Sequence, residues 1–311
     1  MFQFIEAWQV NKLFRVARLQ FLVAGLALFL LGALWARLAG AVFSLTAVLL
    51  GYLVILPAQL SVHFSNDYFD IGSDGPGRPT LISGGGGVLL EHPELREPVK
   101  WIAVGLVTFS LLMGAIFLWI YALPAWLFGL VVLGNFLGWC YSAPPLRLSQ
   151  HGLGEVCYSL IAGILVPGLG YLAVKRSLDA GGLFFVLPLL IYGLASILSV
   201  EVPDVEDDRL AHKDTWLARM GRPAGFTTIG VLLIAATGYF FLAPTFFALP
   251  GSFDARVAGL LSLLPLSTGL AGMAKRPLER AEATRIATGI VVSLAIFSFL
   301  VDGYLAWLGI R

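Results

Sequence analysis

Two clusters of acidic residues end apolar stretches of this sequence, and their spacing is its first chemical signal. The first cluster places three carboxylates at helical spacing, on Asp67, Asp70 and Asp74. The second contains Asp204 and Asp208, one helical turn apart. Residues three or four apart lie on one face of a helix, and like charges there repel each other unless a cation lies among them. The two clusters therefore predict one divalent-metal site shared between two helices.

Carboxylate oxygens suit Mg²⁺, which proteins commonly bind through a few carboxylates together with substrate phosphates. We therefore expect Mg²⁺ as the cofactor and Asp67, Asp70, Asp74, Asp204 and Asp208 as metal ligands and catalytic residues. Metal ions bridging to a diphosphate would make it a good leaving group. An allylic diphosphate has an anionic head and an apolar tail, which fits a site at a membrane surface. Aromatic faces can stabilise the resulting cation, and an electron-rich ring would then capture it.

The composition identifies the chain as an integral membrane protein. Of its 311 residues, 58% are hydrophobic and 13% are charged, which is about half the charged share of a soluble domain. The first apolar run starts near Leu19 and is longer than the core of a signal peptide, so we expect it to be retained. Cys140 and Cys157 match no metal or disulfide pattern and are interpreted as buried apolar residues. The net charge of +1 gives no sign of a nucleic acid partner, and we expect none.

Nine apolar stretches are each near the length of about 20 residues that a helix needs to cross a bilayer. Only helices and closed barrels span bilayers, and runs of this length are helices. The sequence thus predicts an all-α, polytopic membrane protein with a single domain over 1–311, built as a nine-helix transmembrane bundle in contact with membrane lipids. The predicted spans are 19–37, 41–64, 99–121, 124–141, 154–174, 182–201, 224–243, 254–273 and 286–308.

The distribution of basic residues predicts which end of the bundle faces the cytoplasm. With nine spans, the N-terminus and the even-numbered loops share one side, which carries most of the 20 Lys and Arg residues. The positive-inside rule makes that side cytoplasmic. Both acidic clusters lie on it, so we expect the active site and the N-terminus at the cytoplasmic face of a plasma or other inner membrane. The long loops 65–98 and 202–223 are interpreted as caps that carry the aspartate motifs.

Basic residues stand near both acidic clusters: Arg78 follows the first cluster and Lys213 follows the second. Such residues could form ordinary salt bridges, or they could bind an anion carried by the metals. The second interpretation is favoured because the pattern occurs twice. Arg147 lies on the same side, just past a proline turn. We expect at least one of Arg147 and Lys213 to contact the diphosphate.

Several stretches of the sequence resemble the UbiA-type intramembrane prenyltransferases. The stretch 66–74 (NDYFDIGSD) is similar to the NDxxDxxxD signature of that family, and 204–208 (DVEDD) is similar to its second DxxxD motif. The stretch 141–148 (YSAPPLRL) resembles the YSxPP loop, and 213–221 resembles the basic run that follows the second motif. Arg18 resembles the arginine of the RPxFL pattern in the first helix of the family.

The resemblance covers the whole chain and implies Mg²⁺-dependent transfer of a prenyl group from a polyisoprenyl diphosphate, in a lateral cavity open to lipid. Together with the basic residues, it indicates that substrate is bound by Asn66, Arg18, Arg78, Tyr141, Ser142, Arg147 and Lys213.

The acceptor is less well defined by the sequence than the prenyl donor. The stretch 152–155 (GLGE), with Gly163 and Gly170 beyond it, is similar to dihydroxynaphthoate prenyltransferases of menaquinone synthesis. An aromatic acceptor such as 1,4-dihydroxy-2-naphthoate is therefore favoured, although the glycines also suit close helix packing. Hydroxybenzoate, homogentisate, a chlorophyllide-like propionate, haem and a glycerol ether stay open.

Two other classes of protein also stay open. A cation-coupled transporter could use paired acidic clusters as its cation site. Transporter sites usually lie near the bilayer midplane on broken helices, whereas these clusters lie at helix ends. A terpene cyclase would keep the metal site and need no aromatic acceptor.

Overall fold

The computed structural model describes residues 7–71, 80–82, 87–247, 249–250 and 252–310, and these ranges contain helices and no strands. The α-helices in chain order are α1 (Ala7–Ala17), α2 (Leu19–Leu38), α3 (Leu45–Asp70), α4 (Val88–Glu91), α5 (Arg96–Ile120), α6 (Phe128–Cys140), α7 (Gly154–Leu160), α8 (Val166–Lys175), α9 (Val186–Glu201), α10 (Val205–Leu210), α11 (Trp216–Leu242), α12 (Ala255–Leu261), α13 (Leu263–Lys275) and α14 (Arg280–Ile310).

Seven helical stretches in the described ranges are long and apolar enough to cross a membrane: Leu19–Leu38, Leu45–Asp70, Pro93–Ile120, Gly154–Lys175, Gly181–Leu210, Trp216–Thr245 and Arg280–Ile310. The pair α12 and α13, bent by 41°, makes an eighth if it forms one span. The remaining apolar stretch, Ala125–Cys140, is shorter than 18 residues. The all-α membrane architecture is therefore confirmed, and the predicted count of nine spans is not.

Both aspartate motifs lie at the same end of the bundle, which we call the motif end. Ser142, just past α6, bonds Asp70 at the end of α3 with an O···O distance of 2.8 Å. At the start of α14, Arg280 pairs with Asp207 of α10 at 3.2 Å. These contacts bring together segments that are far apart in the sequence, so the motif end is assembled by tertiary packing.

The opposite end of the bundle, the far end, has its own set of contacts between helices. The indole Nε1 of Trp35 donates a hydrogen bond to the carbonyl of Gly181 at 2.6 Å. Close to it, Arg37 at the end of α2 bonds the carbonyl of Gly309 at the end of α14. The N-terminal helix α1 and the C-terminal residues of α14 thus belong to opposite ends of the bundle.

Helices α3 and α10 extend into the stretches 65–98 and 202–223, which the sequence analysis interprets as caps. Helix α3 runs without a break through Asn66 and Asp67 to Asp70, and α10 carries Asp208. Polar residues can continue a helix where it leaves the bilayer, because its backbone hydrogen bonds stay within the helix. The segment between α10 and α11 is short and spans residues 211–215. Helix α11 is itself interrupted at Gly221, where φ is 75°.

Glycines allow α2 and α8 to pack with their backbones in close contact. A Cβ atom at Gly170 would overlap the carbonyl oxygen of Phe29, and one at Gly32 would overlap that of Pro167. Small residues at such contacts are typical of helix packing in membranes. Gly163 likewise lies against the backbone of α9. Gly163 and Gly170, which follow the GLGE stretch, are therefore explained by helix packing.

Candidate active site

The part of the first motif from Asn66 to Asp70 ends α3, and its Asp67 is buried in an ion pair with Arg18. Arg18 joins α1 to α2 with a left-handed backbone, at φ 45° and ψ 57°. That junction turns the chain so that the guanidinium reaches α3. The sequence predicts Arg18 as a substrate-binding residue, and the structure places it against a carboxylate of the first motif.

Asp70 contacts the segment that follows α6. Ser142 Oγ donates to Asp70 Oδ2 at 2.8 Å and lies 3.0 Å from Asn66 Oδ1. A third polar group, Gln150 Nε2, lies 3.4 Å from Asp70 Oδ1. The predicted residues Asn66, Asp70 and Ser142 therefore lie together, and Gln150 is an addition that no sequence motif indicated.

The second motif is organised around Asp208, which is 8% exposed. Its carboxylate accepts a hydrogen bond from Thr215 Oγ1 at 3.1 Å and lies 3.9 Å from Lys213 Nζ. Thr215 is also the N-cap of α11, where its side chain accepts from Ala218 N. A threonine directly before an apolar helix is a typical N-cap signal, so the sequence did carry a local indication of this residue.

Two other acids of the second cluster pair with arginines. Glu206 forms an ion pair with the buried Arg222, and Asp207 pairs with Arg280. Asp204 stands directly before α10, in a 3₁₀ turn that starts at Val202. Asp208, by contrast, contacts Lys213 and Thr215.

The segment 141–153 connects the two motifs. The carbonyl of Gln150 accepts a hydrogen bond from Asp214 N at 3.0 Å, while its side chain reaches Asp70. The carbonyl of Gly152 accepts from Trp216 Nε1, also at 3.0 Å. As a result, Asp70 and Asp208 are close enough for their charges to interact.

Three groups beside this segment differ in charge and exposure. The hydrogen bond from Arg219 holds the pKa of Asp214 below its usual range. Burial raises the pKa of Tyr141 well above that of an ordinary phenol, and nearby carboxylates add to the shift. Tyr141 is therefore a neutral hydroxyl. Arg147 is exposed and forms no ion pair with any residue that the structure describes.

The predicted metal site can be compared with these positions only in part, because Asp74 and Arg78 lie outside the described residues. Among the described residues, no group of three or more His, Cys, Asp or Glu side chains is close enough to hold a metal ion. The donors are nevertheless the oxygen ligands that Mg²⁺ prefers, and a site completed by substrate phosphates needs only one or two carboxylates. Asp70 and Asp208, which lie on two helices and whose charges interact, fit such a site.

A mostly apolar cavity of ≈170 Å³ reaches the motif end between α2, α7, α9 and α14. Phe21, one turn past Arg18, and Val200, at the end of α9, line it near the motifs. Leu28 and Phe297 line it deeper in the bundle. The cavity is suited to an apolar chain whose polar end lies at the aspartates.

Two curated proteins are similar to parts of this chain. A 1,4-dihydroxy-2-naphthoate octaprenyltransferase of Bacillus subtilis is 23% identical over 180 residues, which are 57% of this chain and 56% of that protein. A 2-carboxy-1,4-naphthoquinone phytyltransferase of Synechocystis is 27% identical over 117 residues, 35% of this chain and 37% of that protein. The chain thus spans about half the length of the first relative and about a third of the second.

Solved structures share the fold over nearly the whole chain. A UbiA homologue from Archaeoglobus fulgidus, bound to GPP and Mg²⁺, superimposes with a TM-score of 0.61 at 16% identity, covering 93% of this chain and 99% of that one. The apo structure of a UbiA homologue from Aeropyrum pernix gives 0.63 at 14% identity, covering 91% and 98%.

The family model that matches the sequence extends from residue 25 to residue 291 and carries the description UbiA prenyltransferase family. That range includes both aspartate motifs, the segment 141–153, and the helices α7 and α9 beside the cavity. This chain therefore belongs to the UbiA prenyltransferase family.

Proposed function

We propose that this protein transfers a polyisoprenyl group from an allylic diphosphate to an aromatic acceptor, in a reaction that requires Mg²⁺. One observation carries the proposal: Asp70 of α3 and Asp208 of α10 are close enough for their charges to interact, at the end of the bundle that the apolar cavity reaches. Acidic groups beside an apolar cavity match a ligand with an anionic head and a lipid tail. The A. fulgidus homologue, whose structure holds GPP and Mg²⁺, supports the same class of substrate.

The residues of the two motifs would hold Mg²⁺ and the diphosphate head. Asp70 and Asp208 are the proposed ligands, together with Asp67, Asp74 and Asp204 from the same motifs. Bound Mg²⁺ would supply the positive charge that stabilises the departing diphosphate. Ser142 and Gln150 orient Asp70, and Thr215 orients Asp208, since each donates a hydrogen bond to its carboxylate. Held in this way, the carboxylates need little rearrangement when substrate binds.

The prenyl tail would occupy the cavity between α2, α9 and α14. Its lining is largely aliphatic and aromatic, with Phe21 and Phe297 among the larger side chains. Exclusion of water matters here, because water would compete with the acceptor for an allylic cation. Ring faces near the diphosphate would in addition stabilise that cation.

The favoured acceptor is a dihydroxynaphthoate. The support is the name of the B. subtilis relative and the GLGE stretch at 152–155. Both are weaker than the support for prenyl transfer, since the relative is 23% identical over about half its length. Other hydroxylated rings belong to the same proposal. A terpene cyclase remains the alternative outcome of the assay below.

We further propose that the motif end faces the cytoplasm and that the chain crosses the membrane nine times. The excess of Lys and Arg near the motifs supports the orientation. The contacts that place Arg18 and Gly309 at opposite ends support an odd number of crossings. Helix α6 and the bent pair of α12 and α13 would then supply the two shorter crossings.

The proposed reaction can be tested with purified protein, a series of prenyl diphosphates and a panel of hydroxylated aromatic acids. We expect a prenylated ring and diphosphate in equal amounts, and loss of both when EDTA removes divalent cations. Diphosphate released with a cyclised hydrocarbon, and no dependence on acceptor, would instead identify a terpene cyclase. Neither product with any prenyl diphosphate would reject prenyl chemistry for this site.

Lys213 and Arg147 should differ in their effect on the prenyl diphosphate. Lys213 is mostly buried beside Asp208, where an added anion would lie, whereas Arg147 is exposed. Lys213→Ala should raise the KM for the diphosphate or lower kcat, with kcat/KM falling about tenfold or more. Arg147→Ala, the matched control, should stay within about twofold. Steady-state kinetics with varied prenyl diphosphate measure both effects. A kcat/KM of Lys213→Ala equal to that of wild type would contradict a role for Lys213.

A further inference from the structure

Two buried glutamates near the second motif have no role in the reaction described so far. Glu155, in the first turn of α7, is 1% exposed, and Glu201, at the end of α9, is 8% exposed. In each carboxylate the Oε2 atom has no hydrogen-bond partner in the described part of the chain. Because burying such an atom without a partner costs free energy, these two oxygens point to a ligand that donates hydrogen bonds.

The two carboxylates converge on the N-terminus of α11. Glu155 Oε1 accepts a hydrogen bond from Trp216 N at 2.5 Å. Glu201 lies beside the backbone N–H of the next residue, Leu217, and interacts with the charge of Glu155. The two carboxylates are therefore near each other.

The pair lies near the second aspartate motif and near residues that line the apolar cavity. Glu201 precedes Asp204 by about one helical turn and interacts with the charge of Asp208. Its neighbour Val200 lines the cavity, as does Tyr158, which follows Glu155 by about one turn. A ring lying next to the first carbon of a prenyl diphosphate would therefore lie near the free oxygens of the two glutamates.

We propose that Glu155 and Glu201 bind a hydroxyl group of the aromatic acceptor and take its proton during prenyl transfer, an inference that rests on the proposed function. A hydroxyl group has one O–H donor, which can bond one of the two free oxygens. A divalent cation would need more ligands than this pair offers. The ring that carries the hydroxyl suits the apolar cavity beside it.

The step balances without any further reactant. The carbon–oxygen bond to the diphosphate breaks, and its electron pair leaves with the diphosphate. A π electron pair of the ring forms the new carbon–carbon bond, while the O–H pair becomes the carbonyl π bond and the proton passes to a glutamate. Enolisation then moves the proton of the substituted ring carbon to the oxygen and restores the aromatic ring. The proton held by the glutamate leaves to diphosphate or water.

The variants Glu155→Gln and Glu201→Gln separate this role from helix capping. An amide oxygen still accepts from the backbone N–H of α11, so the cap is kept and the base is lost. We expect transfer to a hydroxynaphthoate whose phenol is not ionised to fall about a hundredfold or more, which is the usual contribution of general base catalysis. Release of diphosphate without acceptor should stay within about threefold of wild type, because it does not need the base.

The matched control is Asp302→Asn, which makes the same carboxyl-to-amide change. Asp302 is buried and without hydrogen-bond partners in the described structure, but it lies towards the far end of α14. Both activities of this variant should match wild type. Thermal unfolding of all three variants shows whether they are folded. If Glu155→Gln does not fold, Glu201→Gln alone tests the proposal, and Glu201→Asp should recover part of the transfer.

An acceptor that is already ionised provides the decisive comparison. A fluorinated hydroxynaphthoate whose phenol ionises below the assay pH has no phenolic proton to lose, so the variants should transfer to it within about threefold of wild type. An equal defect with neutral and ionised phenols would overturn the proposal. So would a parallel loss of diphosphate release and transfer, which indicates a structural role. If wild type itself releases diphosphate but prenylates no hydroxylated ring, the proposed acceptor is wrong, and the role of the pair is rejected with it.

Discussion

Asp70→Asn should lower prenyl transfer by at least about a hundredfold while leaving the protein folded. Asparagine has nearly the same shape as aspartate, and its oxygen can still accept the hydrogen bond from Ser142. It has no negative charge, which is the property that a Mg²⁺ ligand needs. Asp67→Asn and Asp208→Asn should each give a loss of the same order. Rates at rising Mg²⁺ concentration measure the effect, and part of the loss should be recovered at high Mg²⁺.

Glu206→Gln is the control for this set of variants. Glu206 belongs to the second acidic cluster, but its carboxylate pairs with Arg222 instead of facing Asp70. The same change of charge should therefore leave kcat and the Mg²⁺ dependence near those of wild type. Normal turnover in any two of the three aspartate variants would defeat the proposal that both motifs bind the metal.

Arg18→Met should destabilise the fold by about 3–5 kcal/mol, which is typical for removing one partner of a buried ion pair. Methionine keeps much of the length of the side chain and removes the cation that faces Asp67. Asp67→Asn restores neutrality, so the double variant should be more stable than Arg18→Met alone. Denaturant titration of the four proteins in a double-mutant cycle measures the coupling. A double variant as unstable as the sum of the two single changes would show that the pair is not coupled.

Arg15→Met is the matched control for Arg18→Met. Arg15 lies on α1 and pairs with Glu91 at 3.5 Å, with both side chains largely exposed. Exposed pairs contribute about 0–1 kcal/mol, so this variant should unfold almost as wild type does. A large loss of stability in Arg15→Met would mean that α1 itself, rather than the buried pair, accounts for the effect of Arg18.

The sequence by itself determined the fold class and the positions of the aspartate motifs. Apolar composition and the length of the apolar runs are properties of local stretches, and they require helices once the chain lies in a bilayer. Helical spacing likewise follows from local periodicity, and α3 and α10 do carry Asp70 and Asp208 on helices. The number of spans was harder to predict from the sequence, because length alone does not decide whether a stretch such as Ala125–Cys140 crosses the membrane.

Only the tertiary structure decided which groups meet at the site. The sequence indicates Arg18 as a substrate contact, and the structure adds its ion pair with Asp67, because a left-handed turn brings it against α3. Gln150 joins Asp70 to the segment after Asp208 through contacts between residues far apart in the chain. Such contacts leave no periodic or local signal in a sequence, since they depend on how three helices and one connecting segment pack together.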